Sequence, residues 1–202
     1  MLNYRINYFQ SMKEKLHSFI SGFQLLSPEE VDIIVENTNI QSYPKGTILL
    51  KEGQVSQNCY MVIEGLVREY RIVDGIEKTT AFYSEFQPVN SYSSSSNNTP
   101  AKHFLICAED STLTLGTEQL EQDMIKRIPR LETVIRQEVE RVTGLYQDEL
   151  SDFITSSPEQ RYQKLLQERS ELLNRVPQHQ IASYIGVSPE HLSRIRKKLA
   201  ST

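Results

Sequence analysis

Cysteine is scarce in this chain, and no cysteine spacing offers usable chemistry. Cys59 and Cys107 are the two thiols in 202 residues, each beside apolar or aromatic neighbours, and no Cys-x-x-Cys occurs. A zinc ribbon or a thiolate-held iron–sulfur cluster therefore has no ligand set, and both thiols are expected in the core. Long apolar runs are missing too. None approaches the ~20 residues that span a bilayer, which excludes a membrane-spanning helix and any membrane partner of that kind. The first residues include Arg5, Lys13, Glu14 and Lys15 without a long apolar stretch. They do not read as a signal peptide, and a cytoplasmic protein is expected. Histidine is limited to positions 17, 103, 179 and 191, and only His103 falls where the chain reads as strands. A cupin-like metal site needs clustered His and Glu, and no nucleophile–base pair is visible. We therefore expect no enzyme, no metal and no cofactor.

What is present is ordinary in amount and uneven in distribution. Hydrophobic residues make up 38% and charged residues 24%, as in a soluble globular protein. The net charge is −4, yet residues 157–202 hold eight Lys and Arg against four Asp and Glu, a net of +4, which leaves −8 on the other 156 residues. A basic carboxyl-terminal module on an acidic body fits local phosphate binding.

Periodicity divides the chain. Residues 1–40 read as helical, with Tyr8, Phe9, Met12, Leu16 and Phe19 on one side and a helix start at Ser27-Pro28 followed by Val31, Ile34 and Val35. From about 41 to 116 short strands follow, at 47–50, 59–63, 66–72, 79–83, 103–108 and 111–115. Asp74-Gly75 marks a hairpin turn, because both central residues must tolerate positive φ. The polar tract at 90–100 reads as a surface loop. Thr117 caps a short helix carrying Leu120, Met124 and Ile125. After Pro129 a long helix repeats Leu131, Ile135, Val139, Val142 and Tyr146 at spacings of four, four, three and four. That stripe is a dimerisation candidate, with packing on the chain's own body as the alternative. Ser156-Ser157-Pro158 breaks this helix, and Ser157 caps the next.

Residues 177–199 have the order of features that a helix-turn-helix requires. Ile181 and Ile185 give the first helix an inner face, Ala182 is small where helices approach, and Gly186 suits a sharp turn. Ser188 can cap the second helix, with Pro189 at its first position. Leu192, Ile195 and Leu199 then share one face. Glu190, Arg194 and Lys197 lie opposite, with His191, Ser193 and Lys198 beside them, so a polar face is free to read base edges in a major groove. The candidate DNA-binding residues are Gln178, Ser188, Glu190, His191, Ser193, Arg194, Lys197 and Lys198. The rival is a plain αα-hairpin with a solvated basic face.

The order of helices, strands, long helix and helix-turn-helix resembles the Crp-Fnr superfamily of bacterial transcription regulators. The likeness is carried by Tyr43-Pro44-Lys45-Gly46-Thr47, Lys51-Glu52-Gly53, Tyr60-Met61-Val62-Ile63-Glu64-Gly65 with Val67-Arg68, and Ser188-Pro189-Glu190-His191-Leu192-Ser193-Arg194-Ile195. The resemblance implies an α+β fold: a β-roll like a cyclic nucleotide-binding domain with flanking helices over 1–128, a dimerisation helix over 129–156, and a helix-turn-helix domain over 157–202. It further implies a homodimer on double-stranded DNA, and Glu190 and Arg194 as the pair that reads bases. Two departures matter. Pro189 stands where the family often has another Arg, and the sequence ends three residues past Leu199, so no wing is expected. The family's phosphate cassette needs a Gly-Glu pair and an Arg, yet no Gly lies between Gly75 and Gly116 and no Arg between Arg71 and Arg127. Over the cassette stretch 87–103, Lys102 is the one cation besides His103. Cyclic AMP is therefore not the expected effector, and an unidentified small molecule remains in view. A dimeric ligand- or protein-binding module whose helix-turn-helix no longer reads DNA is the alternative.

Overall fold

The computed structural model describes residues 2–89 and 98–200. The chain forms two compact units, Met1–Arg68 with Phe82–Val139, and Glu69–Ala81 with Glu140–Thr202.

In the first unit, helix α1 (Leu2–Ile20) and helix α2 (Pro28–Asn37) precede the strands. Ser27 starts α2 through a reciprocal pair. Its hydroxyl accepts from the Glu30 N–H at 3.3 Å, and the Glu30 carboxylate accepts from the Ser27 N–H at 2.8 Å. The strands are β1 (Asn39–Tyr43), β2 (Ile48–Leu50), β3 (Cys59–Glu64), β4 (Val67–Val73), β5 (Ile76–Tyr83), β6 (Pro88–Val89), β7 (Phe104–Cys107) and β8 (Ser111–Gly116). They form two four-stranded sheets, β1-β8-β3-β6 and β2-β7-β4-β5. Strands β1 and β8, β3 and β8, β3 and β6, and β2 and β7 pair antiparallel, with Gln41 opposite Leu113 and Tyr60 opposite Leu115. Val62, Leu66, Val67, Val89 and Leu113 are fully buried. Helix α3 (Glu118–Arg127) and the start of helix α4 (Arg130–Thr155) follow.

Leu16, Ile20, Val31, Ile34, Val35 and Ile128 form an apolar cluster in this unit. Phe19, Met61, Met124 and Leu131 pack against its edge. A hydroxyl chain ties α1 to the sheet, since Thr112 Oγ1 lies 2.8 Å from Tyr8 Oη and 2.9 Å from Ser42 Oγ. Phe86 holds φ at 62°, a conformation costly for a bulky residue. It is kept there by its N–H, which donates to the Val62 carbonyl at 2.7 Å, and by stacking on Phe19 at 4.8 Å.

Four expectations need adjustment here. The helical reading of 1–40 ends at Asn37, because Asn39 and Ile40 pair with Leu115 and Thr114 as the start of β1. Cys107 is buried, whereas Cys59 is only partly so. Helix α3 has no fully buried residue, and Leu120 points to solvent. Strand β6 was not foreseen, since two residues carry no period. The polar tract expected at 90–100 lies outside the described residues over 90–97.

Burial pushes the Cys107 thiol up to about 11, partly offset by a hydrogen bond with Ser111. Folding thus favours the neutral thiol. The contribution is complete below the ordinary thiol value near 9 and is lost as pH rises through about 11. Cys59, Tyr43 and Tyr60 are raised by burial in the same direction. We expect the urea midpoint to fall between about pH 8 and about pH 10.5, and to fall less in Cys107→Ala. Parallel pH profiles for the two proteins would refute this.

In the second unit, the outer halves of β4 and β5 meet at Asp74 (φ 52°) and Gly75 (φ 75°), the two positive values that a tight hairpin demands. Residues 140–155 of α4 continue into α5 (Pro158–Glu168), α6 (Leu172–Arg175), α7 (Gln178–Tyr184) and α8 (Pro189–Ala200). Ser157 caps α5 as expected, with its hydroxyl accepting from the Gln160 N–H at 3.3 Å and its own N–H donating to the Gln160 side chain at 2.8 Å. No helix among the described residues is long and apolar enough to cross a membrane.

Candidate nucleic-acid interface

The turn between α7 and α8 is built from backbone hydrogen bonds. The Val187 N–H donates to the Ala182 carbonyl at 2.9 Å and the Gly186 N–H to the Ser183 carbonyl at 3.0 Å. This double closure ends a helix on a left-handed residue, and Gly186 holds φ at 75°. A side chain there would also collide, since a Cβ would stand 2.9 Å from Phe153 Cζ. Ser188 then restarts the helix, its hydroxyl accepting from the His191 N–H at 3.2 Å, with Pro189 first in α8. Ser188→Ala should cost about 1 kcal/mol, read as a lower thermal midpoint. An unchanged midpoint would contradict this account of the cap.

Burial fixes which way α8 faces. Leu192 and Ile195 pack inward beside Ile181, Ala182 and Ile185, all nearly inaccessible. Leu199 is half-buried. Glu190, Ser193, Arg194, Lys197 and Lys198 are exposed, as are Ser188 and Gln178, and His191 is half-buried. Hydrogen bonds from the Ser188 hydroxyl and from its own backbone N–H hold the Glu190 carboxyl below the usual carboxylate range, and the positive charge of Arg194 adds to this. Glu190 is thus an acceptor and Arg194 a donor, one turn apart on one exposed face. Lys198 instead lies 3.7 Å from Glu159, toward α5.

The residues of the long-helix stripe are placed unequally. Leu131 is half-buried against the apolar cluster of the first unit. Ile135 and Val142 are half-buried, while Val139 and Tyr146 are exposed. Leu145, Leu150 and Ile154 further along are also exposed.

Two residues of this unit were not singled out by sequence. In the sequence Arg161 is one of the eight basic residues of 157–202. In the fold its Nε donates to the Ile185 carbonyl at 2.8 Å, and its Nη1 to the carbonyls of Phe153 and Ser156 at 3.1 and 2.6 Å. The available signal was an arginine just after a helix break, where the preceding carbonyls need donors. Thr79 is the other. Its N–H, on the edge strand β5, donates to Ser183 Oγ of α7 at 2.8 Å. No local pattern announces such a long-range contact.

Comparison with known proteins bears on both units. Residues 40–123 match the cyclic nucleotide-binding domain family, so the paired sheets belong to that class of domain. The chain is 26% identical over 185 residues to the cyclic AMP receptor protein of Thermus thermophilus, covering 88% of this chain and 84% of that one. Among solved structures, it is similar to the c-di-GMP-responsive global regulator CLP of Xanthomonas campestris (16% identity, 87% of this chain and 92% of that, TM-score 0.65). It is also similar to FixK2 from Bradyrhizobium japonicum (16% identity, 81% and 85%, TM-score 0.64). The chain is thus similar to a cyclic AMP receptor protein, matches a cyclic nucleotide-binding domain over residues 40–123, and has a mixed α+β fold.

Proposed function

We propose that this protein is a transcription regulator that binds DNA as a homodimer. Two copies join along α4 through Ile135, Val139, Val142 and Tyr146, with Leu131 at the stripe's buried start. Each copy then lays α8 in a major groove of an inverted repeat, the two grooves about 34 Å apart. Gln178, Ser188, Ser193, Lys197 and Lys198 contact phosphates or neighbouring edges, with His191 beside them, while Glu190 and Arg194 read bases. The observation that carries this reading is α8 itself, a helix pinned by Leu192 and Ile195 whose opposite face presents Glu190 and Arg194 to solvent. Arg can grip guanine O6 and N7, and ionised Glu can accept from cytosine N4. The 1–128, 129–156 and 157–202 segments then act as sensor, dimer seam and reader.

The sensor belongs to a domain class named for cyclic nucleotides, yet the sequence supplies no Arg between Arg71 and Arg127 for a cyclic phosphate. A phosphate site draws on backbone amides and a guanidinium fork. The effector, where there is one, is then a small molecule other than cyclic AMP. Selection of bound duplexes from a random pool, repeated across a salt series, tests the DNA reading. One inverted repeat should be enriched, and its affinity should fall steeply with salt. Equal affinity for every duplex would instead favour a dimeric module that no longer reads DNA.

A further inference from the structure

Residues 140–155 of α4, which carry Val142 and Tyr146 of the proposed seam, share one compact unit with the proposed reader, and one side chain links the end of α4 to the turn before α8. Arg161 lies in the first turn of α5. Its guanidinium reaches the carbonyls of Phe153 and Ser156, where α4 runs out of donors, and the carbonyl of Ile185, where α7 ends. The same group sits 4.5 Å from the centre of the Phe153 ring. That ring in turn fills the space beside Gly186 at the turn into α8. Arg161 therefore closes two helix ends at once and stacks on the residue that meets the turn. A guanidinium has the planar fork of donors for this, whereas an ammonium is a point donor.

We propose that the Arg161–Phe153 clamp fixes the angle between α4 and α8, and thereby sets the half-site spacing that the dimer accepts. This rests on the reading above, with α4 as seam and α8 as reader. Arg161 acts as a positioning residue and touches no base. Each base pair inserted between half-sites turns one of them by about 35° around the duplex axis. A stiff link cannot follow that rotation, so a mis-spaced operator engages only one reader. A loosened link lets each α8 swing to its own half-site.

The test uses the full-length protein and the operator selected with it. Half-sites are moved together or apart by one and two base pairs, and a duplex with one half-site is included. The proteins are wild type, Arg161→Met, Arg161→Lys and Phe153→Leu, each checked for helix content and dimer mass. Wild type should lose about tenfold in affinity at a two-base-pair displacement, because one reader disengages. Arg161→Met and Phe153→Leu should stay within about threefold across the series, and hold the single half-site within about threefold of wild type. Arg161→Lys should follow Arg161→Met, since charge without the fork cannot hold three carbonyls. A folded, dimeric Phe153→Leu or Arg161→Met that keeps the wild-type spacing optimum overturns the proposal, as does full rescue by lysine. Should Arg161→Met fail to fold, Phe153→Leu decides alone, because it removes the ring and leaves the hydrogen bonds. Absence of sequence preference in wild type would sink the DNA reading and the clamp with it, and would show before any variant is made.

Discussion

Replacing Gly65 by alanine is expected to unfold the strand-rich unit or to weaken it by about 3–7 kcal/mol. Gly65 joins β3 to β4 with φ at 107°, outside the range of residues bearing a Cβ. Holding alanine there costs about 1–3 kcal/mol. The new methyl would stand 2.5 Å from Ser111 Oγ and 2.6 Å from Ser111 Cα, so a rotamer change cannot relieve it. Forcing atoms into such a packed place costs about 1–3 kcal/mol more. Ser111 is itself buried, and its hydroxyl accepts from the Leu66 N–H at 3.2 Å and donates to the Glu109 carbonyl at 2.8 Å. Displacing it forfeits about another 1 kcal/mol. Gly75→Ala is the control. It shares a positive φ but has no atom within 4 Å of the added methyl, so only the conformational cost of about 1 kcal/mol applies. Urea midpoints for both variants check this, and similar losses at the two sites would refute the role given to Ser111.

Arg194→Ala should erase sequence preference while leaving the fold intact. The side chain is exposed on α8, and its loss disturbs neither Leu192 nor Ile195. One bidentate contact to guanine contributes about 1–3 kcal/mol of discrimination, and a dimer uses it twice. Affinity for the selected operator should therefore drop by about 2–6 kcal/mol, toward that for random DNA. Lys197→Ala should behave differently, weakening binding to all duplexes alike and reducing the salt slope by about one per subunit. Titrations of operator and scrambled DNA at several salt concentrations separate the two. Retained preference in Arg194→Ala would remove that residue from the base-reading pair.

Local chemistry made much of this fold legible. Ser27, Ser157 and Ser188 each stand before a proline and each accepts a backbone N–H at a helix start, as their side chains allow. Asp74-Gly75 turns because those two residues tolerate positive φ. The facing of α8 followed from apolar residues at spacings of three and four. What escaped was set by distant partners. The three carbonyls that receive Arg161 come from positions 153, 156 and 185. Leu131 repeats in phase with the long-helix stripe, yet an apolar cluster from α1, α2 and the residue after α3 covers it. Period alone cannot tell a neighbour in the same chain from a second copy.

The hydrogen bond from Thr79 to Ser183 bears on any attempt at dissection. The hairpin tip 69–81 belongs with the carboxyl-terminal helices, although both its strands run in from the other unit. No single cut therefore yields two intact pieces. A fragment ending near residue 139 keeps the hairpin but strips its border of the Ser183 hydroxyl, with Ile72, Val73 and Ile76 already bare. Such an unprotected ribbon invites self-association, so the isolated amino-terminal fragment should aggregate where the full chain does not.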